Sequence, residues 1–65
     1  MQEWQKRVVQ EKKELDEKLV ALAAFIKSPA FLTLSPRNMN LLCSQRVAMT
    51  TYSYVLRERI RLFVE

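Results

Sequence analysis

The residues of this chain whose type and spacing could do chemistry are lysines and arginines, and the chemistry they suit is anion binding. Arg57 and Arg61 lie four positions apart, which places them on one face of a helix. Arginine binds phosphate through paired hydrogen bonds and stacks on bases. Lys27 lies just before a Ser-Pro pair, where the end of one helix would meet the start of the next. A lysine beside a helix N-terminus makes a candidate anion site.

The positive charge is confined to the second part of the chain. Residues 1–26 hold five basic and five acidic side chains, whereas residues 27–65 hold six basic and two acidic ones, which accounts for the net charge of +4. A basic tail is also typical of a soluble, ion-paired surface, so that alternative stays open. Duplex DNA would require more basic residues on one continuous face. A small phosphate-bearing ligand held at subunit boundaries fits the modest count better, and we expect no duplex nucleic acid as partner.

Catalytic chemistry has little support in the composition. The chain has no histidine, no glycine and a single cysteine, Cys43. Without glycine there is no phosphate-binding loop and no dinucleotide-binding turn, and without histidine there is no imidazole base. One cysteine cannot form an internal disulfide or complete a structural zinc site. We therefore expect no enzyme, no catalytic residue, no metal and no cofactor.

Two Ser-Pro pairs divide the chain. A serine can cap a helix and a proline can occupy its first turn, so Ser28 with Pro29 and Ser35 with Pro36 mark helix starts. They predict one all-α domain over residues 1–65, with a helix at about 2–27, a connector with a short helical turn at 28–35, and a helix at about 36–64. Residues 49–55 have some strand preference, but the surrounding 3.6-residue pattern favours a helix.

A charge interrupts the apolar stripe of the first helix. The stripe runs through Val8 and Leu15, and the step between them falls on Glu11 or Lys12. One interpretation is that the lysine stem lies along apolar surface with its ammonium group in water. The other is that Lys12 faces a polar pocket between packed helices, where it would meet an anion.

The apolar content exceeds what a two-helix hairpin can cover. The second helix has one stripe through Met49 and Leu56 and an adjoining one through Leu41, Val55 and Leu62. Since 49% of 65 residues are hydrophobic and no disulfide or metal is available, self-association is the remaining source of stability. We expect an antiparallel helical hairpin that assembles into a homo-oligomeric bundle.

The spacing of these residues resembles a family of small bacteriophage proteins called type-two anti-CBASS proteins. The most distinctive matches are the run Phe25-Ile26-Lys27-Ser28-Pro29 and the pattern Ala48-Met49-x-x-Tyr52. The other matching positions are Glu3, Trp4, Arg7, Val8, Glu11, Glu14, Leu15, Lys18, Leu19, Leu22, Phe31, Leu34, Leu41, Leu42, Gln45, Val55, Leu56, Arg59, Ile60 and Phe63.

The resemblance implies a non-enzymatic sponge. Members of that family are all-helical homohexamers that capture the cyclic oligonucleotide second messengers of the bacterial CBASS antiphage system. Cyclic dinucleotides, such as cyclic GMP-AMP, bind between protomers, and some members also bind cyclic trinucleotides in separate pockets. Captured messenger cannot activate the effector that kills the infected cell. The expected location is accordingly the cytoplasm of the infected host.

The resemblance also assigns site residues. Lys27 matches the family lysine that meets phosphate. Beside the resemblance, we expect the connector residues Ser28, Pro29 and Phe31 to belong to the site, with backbone N–H groups of this segment as donors. The stacking aromatic of the family falls near Lys12, which has no flat ring but can lie over a base or bind phosphate. We therefore expect an altered ligand preference or weaker dinucleotide binding. For a trinucleotide pocket the candidates are Arg57 and Arg61, ahead of Arg59.

Two other functions remain open from the sequence. The residual apolar face would also suit an oligomeric protein-interaction module without a nucleotide ligand. Nonspecific DNA binding would show a steep salt dependence.

The longest apolar run, residues 19–26, is far shorter than the ~20 residues a membrane-spanning helix needs. With a single cysteine and no signal peptide, we expect a cytosolic protein without a membrane partner.

Overall fold

The chain folds into two long helices joined by a short helical connector, in a computed structural model that describes residues 1–64. Helix α1 spans Glu3–Ile26 and helix α2 spans Pro36–Arg61. A 3-10 helix at Pro29–Thr33 connects them, and a 3-10 turn at Leu62–Val64 follows α2. The predicted all-α class is confirmed, with no strand among the described residues, and residues 49–55 are helical. Glu65, the last residue of the predicted domain, lies outside the described part.

Side-chain caps explain two of the helix starts. The Ser35 hydroxyl oxygen accepts a hydrogen bond from the Asn38 backbone N–H at 3.2 Å, so its predicted N-cap is confirmed. Ser28 does not cap in this way, because its hydroxyl donates back to the Phe25 carbonyl oxygen at 2.6 Å. At the start of α1, the Gln2 backbone N–H donates to the Gln5 side-chain oxygen at 2.8 Å. Ser28 therefore closes α1 and leaves the connecting 3-10 helix without a side-chain cap.

The two helices run antiparallel and share a narrow core. Near the open end of the hairpin, the rings of Trp4 and Phe63 pack edge to face with centroids 5.2 Å apart. One turn further along α1, Val8 packs with Leu15 and Leu56, which are the buried apolar residues of the described chain. Among residues 1–64, only Leu56 loses all of its exposed surface. This contact surface between the two helices, which we call the seam, is thus only one side chain deep.

The hairpin is long, thin and apolar on its outside. It measures 46 × 14 × 14 Å, and its radius of gyration of 14.9 Å exceeds the roughly 11 Å of a compact chain of this length. The accessible surface is 5084 Å², against about 4,300 Å² for a typical monomer of this mass. The predicted second stripe of α2 is exposed at Leu41, Val55 and Leu62. The expectation that two helices cannot cover both stripes is confirmed.

Truncation of Leu56 is the direct test of this seam. We expect Leu56→Ala to lower the free energy of unfolding by about 2–5 kcal/mol, because it leaves a cavity in the core of the hairpin. Leu32→Ala is the matched control, since Leu32 lies in the connecting 3-10 helix with 74% of its surface exposed. Urea unfolding at one fixed protein concentration measures both changes. Equal destabilisation by the two variants would contradict the assigned core.

Candidate functional site

Lys27 lies where α1 ends, and its side chain is exposed. The backbone around it is already hydrogen-bonded: the Ser28 N–H donates to the Phe25 carbonyl oxygen at 2.9 Å, and the Phe31 N–H donates to the Ser28 carbonyl oxygen at 3.2 Å. Pro29 has no N–H to offer. Any anion held here would therefore be bound mainly by the Lys27 ammonium group, and the backbone donors expected at Ser28 and Phe31 are already in use.

An aromatic pair flanks Lys27 along the chain. The rings of Phe25 and Phe31 pack edge to face, with centroids 6.3 Å apart and an angle of 87° between the planes. Such a pair contributes stability beyond simple burial. Phe25 keeps 37% of its surface exposed, and Pro29 is exposed beside it. The connector thus presents an aromatic and apolar surface next to a cation.

A shallow groove of about 370 Å³ begins at Ile26, the residue before Lys27, and lies between the end of α1 and the middle of α2. It contains one charged side chain, Arg46, and no carboxylate. The hydroxyls of Thr50 and Thr51 donate to the carbonyl oxygens of Arg46 and Val47, four residues earlier. The other lining residues are Ile26 and Cys43. This groove therefore carries a net positive charge, which suits a phosphate ligand.

Arg46 is a candidate that sequence reasoning missed. It belongs to the basic second part of the chain, and that charge excess was the available signal. Its placement near the end of α1 depends on how the two helices align, since Ile26 and Arg46 are twenty positions apart. Among the described residues, Arg46 forms no ion pair. The structure thus places Arg46 in a groove that reaches Ile26, the neighbour of Lys27 at the end of α1.

Lys12 occupies a different place, on the seam between the helices. Its ammonium group donates to the Asp16 carboxylate at 2.5 Å and to the Ser53 hydroxyl oxygen at 3.3 Å. The Ser53 hydroxyl in turn donates to the other Asp16 oxygen at 2.5 Å. Of the two interpretations of Lys12, the polar contact between packed helices is the one observed. The anion that Lys12 meets there is a carboxylate of its own chain.

This network changes the titration of Asp16. The hydrogen bonds from Lys12 and Ser53, with the Lys12 hydrogen bond as the larger cause, hold the pKa of the Asp16 carboxyl below its ordinary value. Partial burial acts in the opposite direction but does not prevail. Asp16 therefore stays ionised at neutral pH, and the charge of Lys12 is matched within the hairpin.

The candidate arginines of α2 also have partners. Arg57 lies 3.4 Å and Arg61 lies 3.2 Å from the Glu58 carboxylate. The Arg57 guanidinium also lies over the Tyr54 ring, 5.1 Å from its centroid. These contacts are exposed, where single ion pairs contribute little and are readily exchanged. Both arginines can therefore turn to a ligand at small cost, but neither is held in a fixed position for one.

One hairpin does not bring the candidate residues together. Lys12 and Lys27 are fifteen residues apart on α1, or about 22 Å along the axis. Arg57 and Arg61 lie in the last two turns of α2, at the open end of the hairpin, where Arg59 shares a groove with Trp4 and Phe63. Lys27 and the connector residues Ser28, Pro29 and Phe31 lie at the other end. A ligand that contacts more than one of these groups would have to bind where hairpins meet.

Within residues 1–64, no three histidine, cysteine or acidic side chains are grouped so that they could hold a metal ion. Neither long helix of the described chain has an apolar stretch sufficient to span a lipid bilayer.

Removal of the Asp16 charge should change how stability depends on pH. The folded chain favours ionised Asp16, so its contribution is complete above the unfolded pKa of about 4 and is lost as the pH falls through the lower folded value. We expect Asp16→Asn to destabilise the protein at pH 7, and the difference from wild type to shrink towards pH 2. Thermal unfolding between those pH values measures it at constant protein concentration.

Glu11→Gln is the control for this measurement, because Glu11 is exposed and forms no side-chain hydrogen bond with another described residue. It should leave the pH dependence close to that of wild type. A pH-independent difference between wild type and Asp16→Asn would contradict the role assigned to the carboxylate.

Comparison with known proteins identifies the family to which the chain belongs. The profile of the family called Sequestin matches residues 2–62. A protein of Enterobacteria phage T4, described as an uncharacterized 7.5 kDa protein in the denB-rIIB intergenic region, is 40% identical over 60 residues, which cover 92% of this chain and 94% of the relative. That relative supports a phage origin. No solved structure matches significantly. The chain belongs to the Sequestin family.

Proposed function

We propose that the chain is a phage anti-defence protein that binds cyclic oligonucleotide second messengers and keeps them from the CBASS effector. The observation that carries the proposal is membership of a family whose name denotes sequestering, over residues 2–62. The phage relative agrees with an anti-defence role. The localised positive charge and the resemblance to type-two anti-CBASS proteins supply the ligand class. The place of action would be the cytoplasm of the infected host.

The connector end of the hairpin is the best candidate for phosphate binding. Lys27 lies there, and the adjoining groove, which reaches Ile26, adds the cation Arg46 and has no carboxylate in its lining. Pro29 and the half-buried Phe31 provide an apolar surface for a sugar or base, with Ser28 beside them. A cyclic dinucleotide carries two negative charges, which these cations would match. In this proposal Lys12 contacts the part of the ligand that extends along the seam of a neighbouring hairpin.

Cyclic trinucleotides would use the opposite end. Arg57 and Arg61 are exposed there, and their shared partner Glu58 is a surface carboxylate that a multivalent anion could replace. Several chains would have to contribute their arginines to one pocket, because the arginines of a single hairpin are exposed on its surface and cannot enclose a ligand. The proposal thus places the two ligand classes at opposite ends of the assembly.

Self-association is part of the proposed function. An isolated hairpin buries one leucine completely and leaves Leu41, Val55 and Leu62 exposed. Burial of this apolar area in a homo-oligomer, for which we propose a hexamer, would stabilise the chain. It would also form the pockets between protomers that the spacing of the candidate residues requires.

Sequestration works by mass action and needs no catalysis. The sites must be numerous, and they must bind the messenger more tightly than the effector does. A nanomolar dissociation constant corresponds to about 12 kcal/mol, which exceeds what a few exposed ion pairs supply. Burial of the bases between protomers would provide the remainder. We propose binding without turnover, so that the messenger is released unchanged.

The oligomer can be tested by light scattering. We expect a mass of about six times the 7.7 kDa of one chain. Val55→Asp should lower the mass towards that of the single chain, because Val55 is 46% exposed on the outer stripe and a carboxylate there opposes burial. Glu11→Gln should leave the mass unchanged. A wild-type mass of one chain at micromolar concentration would contradict the assembly.

Ligand binding can be tested by calorimetry with cyclic GMP-AMP and a cyclic trinucleotide. We expect wild type to bind the dinucleotide, and Lys27→Ala to weaken binding about 10- to 100-fold, which is the effect of losing one charge-assisted hydrogen bond. Lys18→Ala is the matched control, since Lys18 is an exposed lysine of the same helix. Failure of wild type to bind any cyclic oligonucleotide would exclude the proposed function.

The exposed apolar stripe also favours a second candidate, an oligomeric protein-interaction module without a nucleotide ligand. The two candidates differ in which variant abolishes protection of the phage. The sponge requires Lys27, whereas a protein-binding face requires the stripe and tolerates Lys27→Ala. Val55 is the stripe residue to change in this comparison, because Leu56 lies in the core of the hairpin and its loss would unfold the chain.

A further inference from the structure

Another groove lies at the open end of the hairpin, where Trp4 meets Phe63. This open-end groove has a volume of about 500 Å³ and is lined by Trp4, Gln5, Arg59, Leu62 and Phe63. The two rings pack edge to face with centroids 5.2 Å apart, and Leu62 adds an aliphatic side chain beside them. Trp4 keeps 47% and Leu62 keeps 61% of its surface exposed. The hairpin thus presents an open apolar surface at this end.

The polar groups of the open-end groove are hydrogen-bond donors. The Gln5 side-chain oxygen accepts from the Gln2 backbone N–H at 2.8 Å, which leaves the Gln5 NH2 group as the free end of the amide. The Arg59 guanidinium has five N–H donors, and it forms no ion pair or side-chain hydrogen bond with another described residue. No carboxylate of residues 1–64 lines the groove. A negatively charged acceptor is therefore the complementary group.

Arg59 is separated from the two arginines assigned to a trinucleotide. Two residues along a helix correspond to a rotation of about 200°, so Arg59 lies on the other flank of α2 from Arg57 and Arg61. Those two share the Glu58 carboxylate, whereas Arg59 shares a groove with Trp4. The lining of the open-end groove thus contributes a single positive charge. One guanidinium matches one planar carboxylate through two parallel hydrogen bonds.

We propose that the open-end groove binds the C-terminal residue of a partner polypeptide. Arg59 and the Gln5 NH2 group donate to its carboxylate, and the apolar surface of Trp4, Leu62 and Phe63 receives a large apolar side chain. A C-terminal residue carries both groups on one Cα atom, so both reach a groove of this size together. In an extended internal segment, an acidic residue and its apolar neighbour point to opposite faces. This binding site is independent of the proposed nucleotide sites.

The test uses an acetylated peptide of three alanines and a C-terminal leucine, compared with the same peptide amidated at its C-terminus. Trp4 is the only tryptophan of the chain, so its fluorescence reports on the open-end groove. We expect a saturable change in Trp4 emission with the free carboxylate. Binding of the amide should be about tenfold weaker or less, because the guanidinium has no anion to pair with. Added salt should weaken binding of the acid.

Substitutions of Arg59 test the contact from the protein side. Arg59→Ala should weaken binding of the free acid about 10- to 100-fold, which is the effect of losing a charge-assisted hydrogen bond. Arg59→Lys should restore only part of the affinity, because an ammonium group cannot form the paired hydrogen bonds. Arg37→Ala is the matched control, since Arg37 is an exposed arginine in the first turn of the same helix, at the connector end. It should leave the affinity unchanged.

Several results would overturn the proposal. They are the absence of a Trp4 response to the free acid, equal binding of acid and amide, and equal losses in Arg59→Ala and Arg37→Ala. A response to phosphatidylserine vesicles in place of the peptide would identify a membrane surface as the occupant. Emission that follows the light-scattering mass and ignores the peptide would identify a second copy, and binding only in Glu65→Gln would identify the chain's own carboxylate. Each of these occupants excludes the partner polypeptide and leaves the proposed nucleotide binding unaffected.

Discussion

Two helices can bury only one seam, and the rest of this structure depends on that constraint. Leu56 is fully buried, Val8 and Leu15 nearly so, and the other large apolar side chains of the described chain keep part of their surface in contact with solvent. A chain this thin cannot form an enclosed pocket by itself. In the proposed assembly, contact with other copies would add stability and enclose the binding site. In the proposed sponge, the contacts between copies that stabilise this small chain also form its binding sites.

The charged side chains are also arranged according to whether they lie between the two helices. Charge pairs on the seam are matched, as between Lys12 and Asp16, because a partly buried cation requires a partner. Lys27 at the connector end and Arg46 in the groove that reaches Ile26 have no such partner among the described residues. Neutral and positive surfaces are thus separated along the hairpin. A ligand with a charged backbone and polar base edges could use both surfaces if neighbouring hairpins bring them together.

Much of the fold could be predicted because it depends on local chemistry. The Ser-Pro pairs and the 3.6-residue apolar spacing indicated two helices and a connector, and Ser35 caps α2 as expected. Ser28 does not cap the connector as predicted, because its hydroxyl donates to the Phe25 carbonyl oxygen of the preceding turn. The hydroxyl of a serine between two helices can cap the following helix or donate to a carbonyl oxygen of the preceding one. The path of the backbone determines which hydrogen bond forms. The candidate site was less predictable, because only the alignment of the two helices brings Arg46 into one groove with Ile26 of α1.

The sequence by itself determined the helical class, the position of the charge excess and the presence of a charge in the apolar stripe at Lys12. These properties depend on residues a few positions apart, which a single helix brings together. Only the tertiary structure decided that Lys12 meets Asp16 and Ser53, and that Arg46 lies beside the end of α1. Ser53 is forty-one positions from Lys12. Such contacts follow from the register of α1 against α2, which packing around Leu56 sets and no local pattern contains.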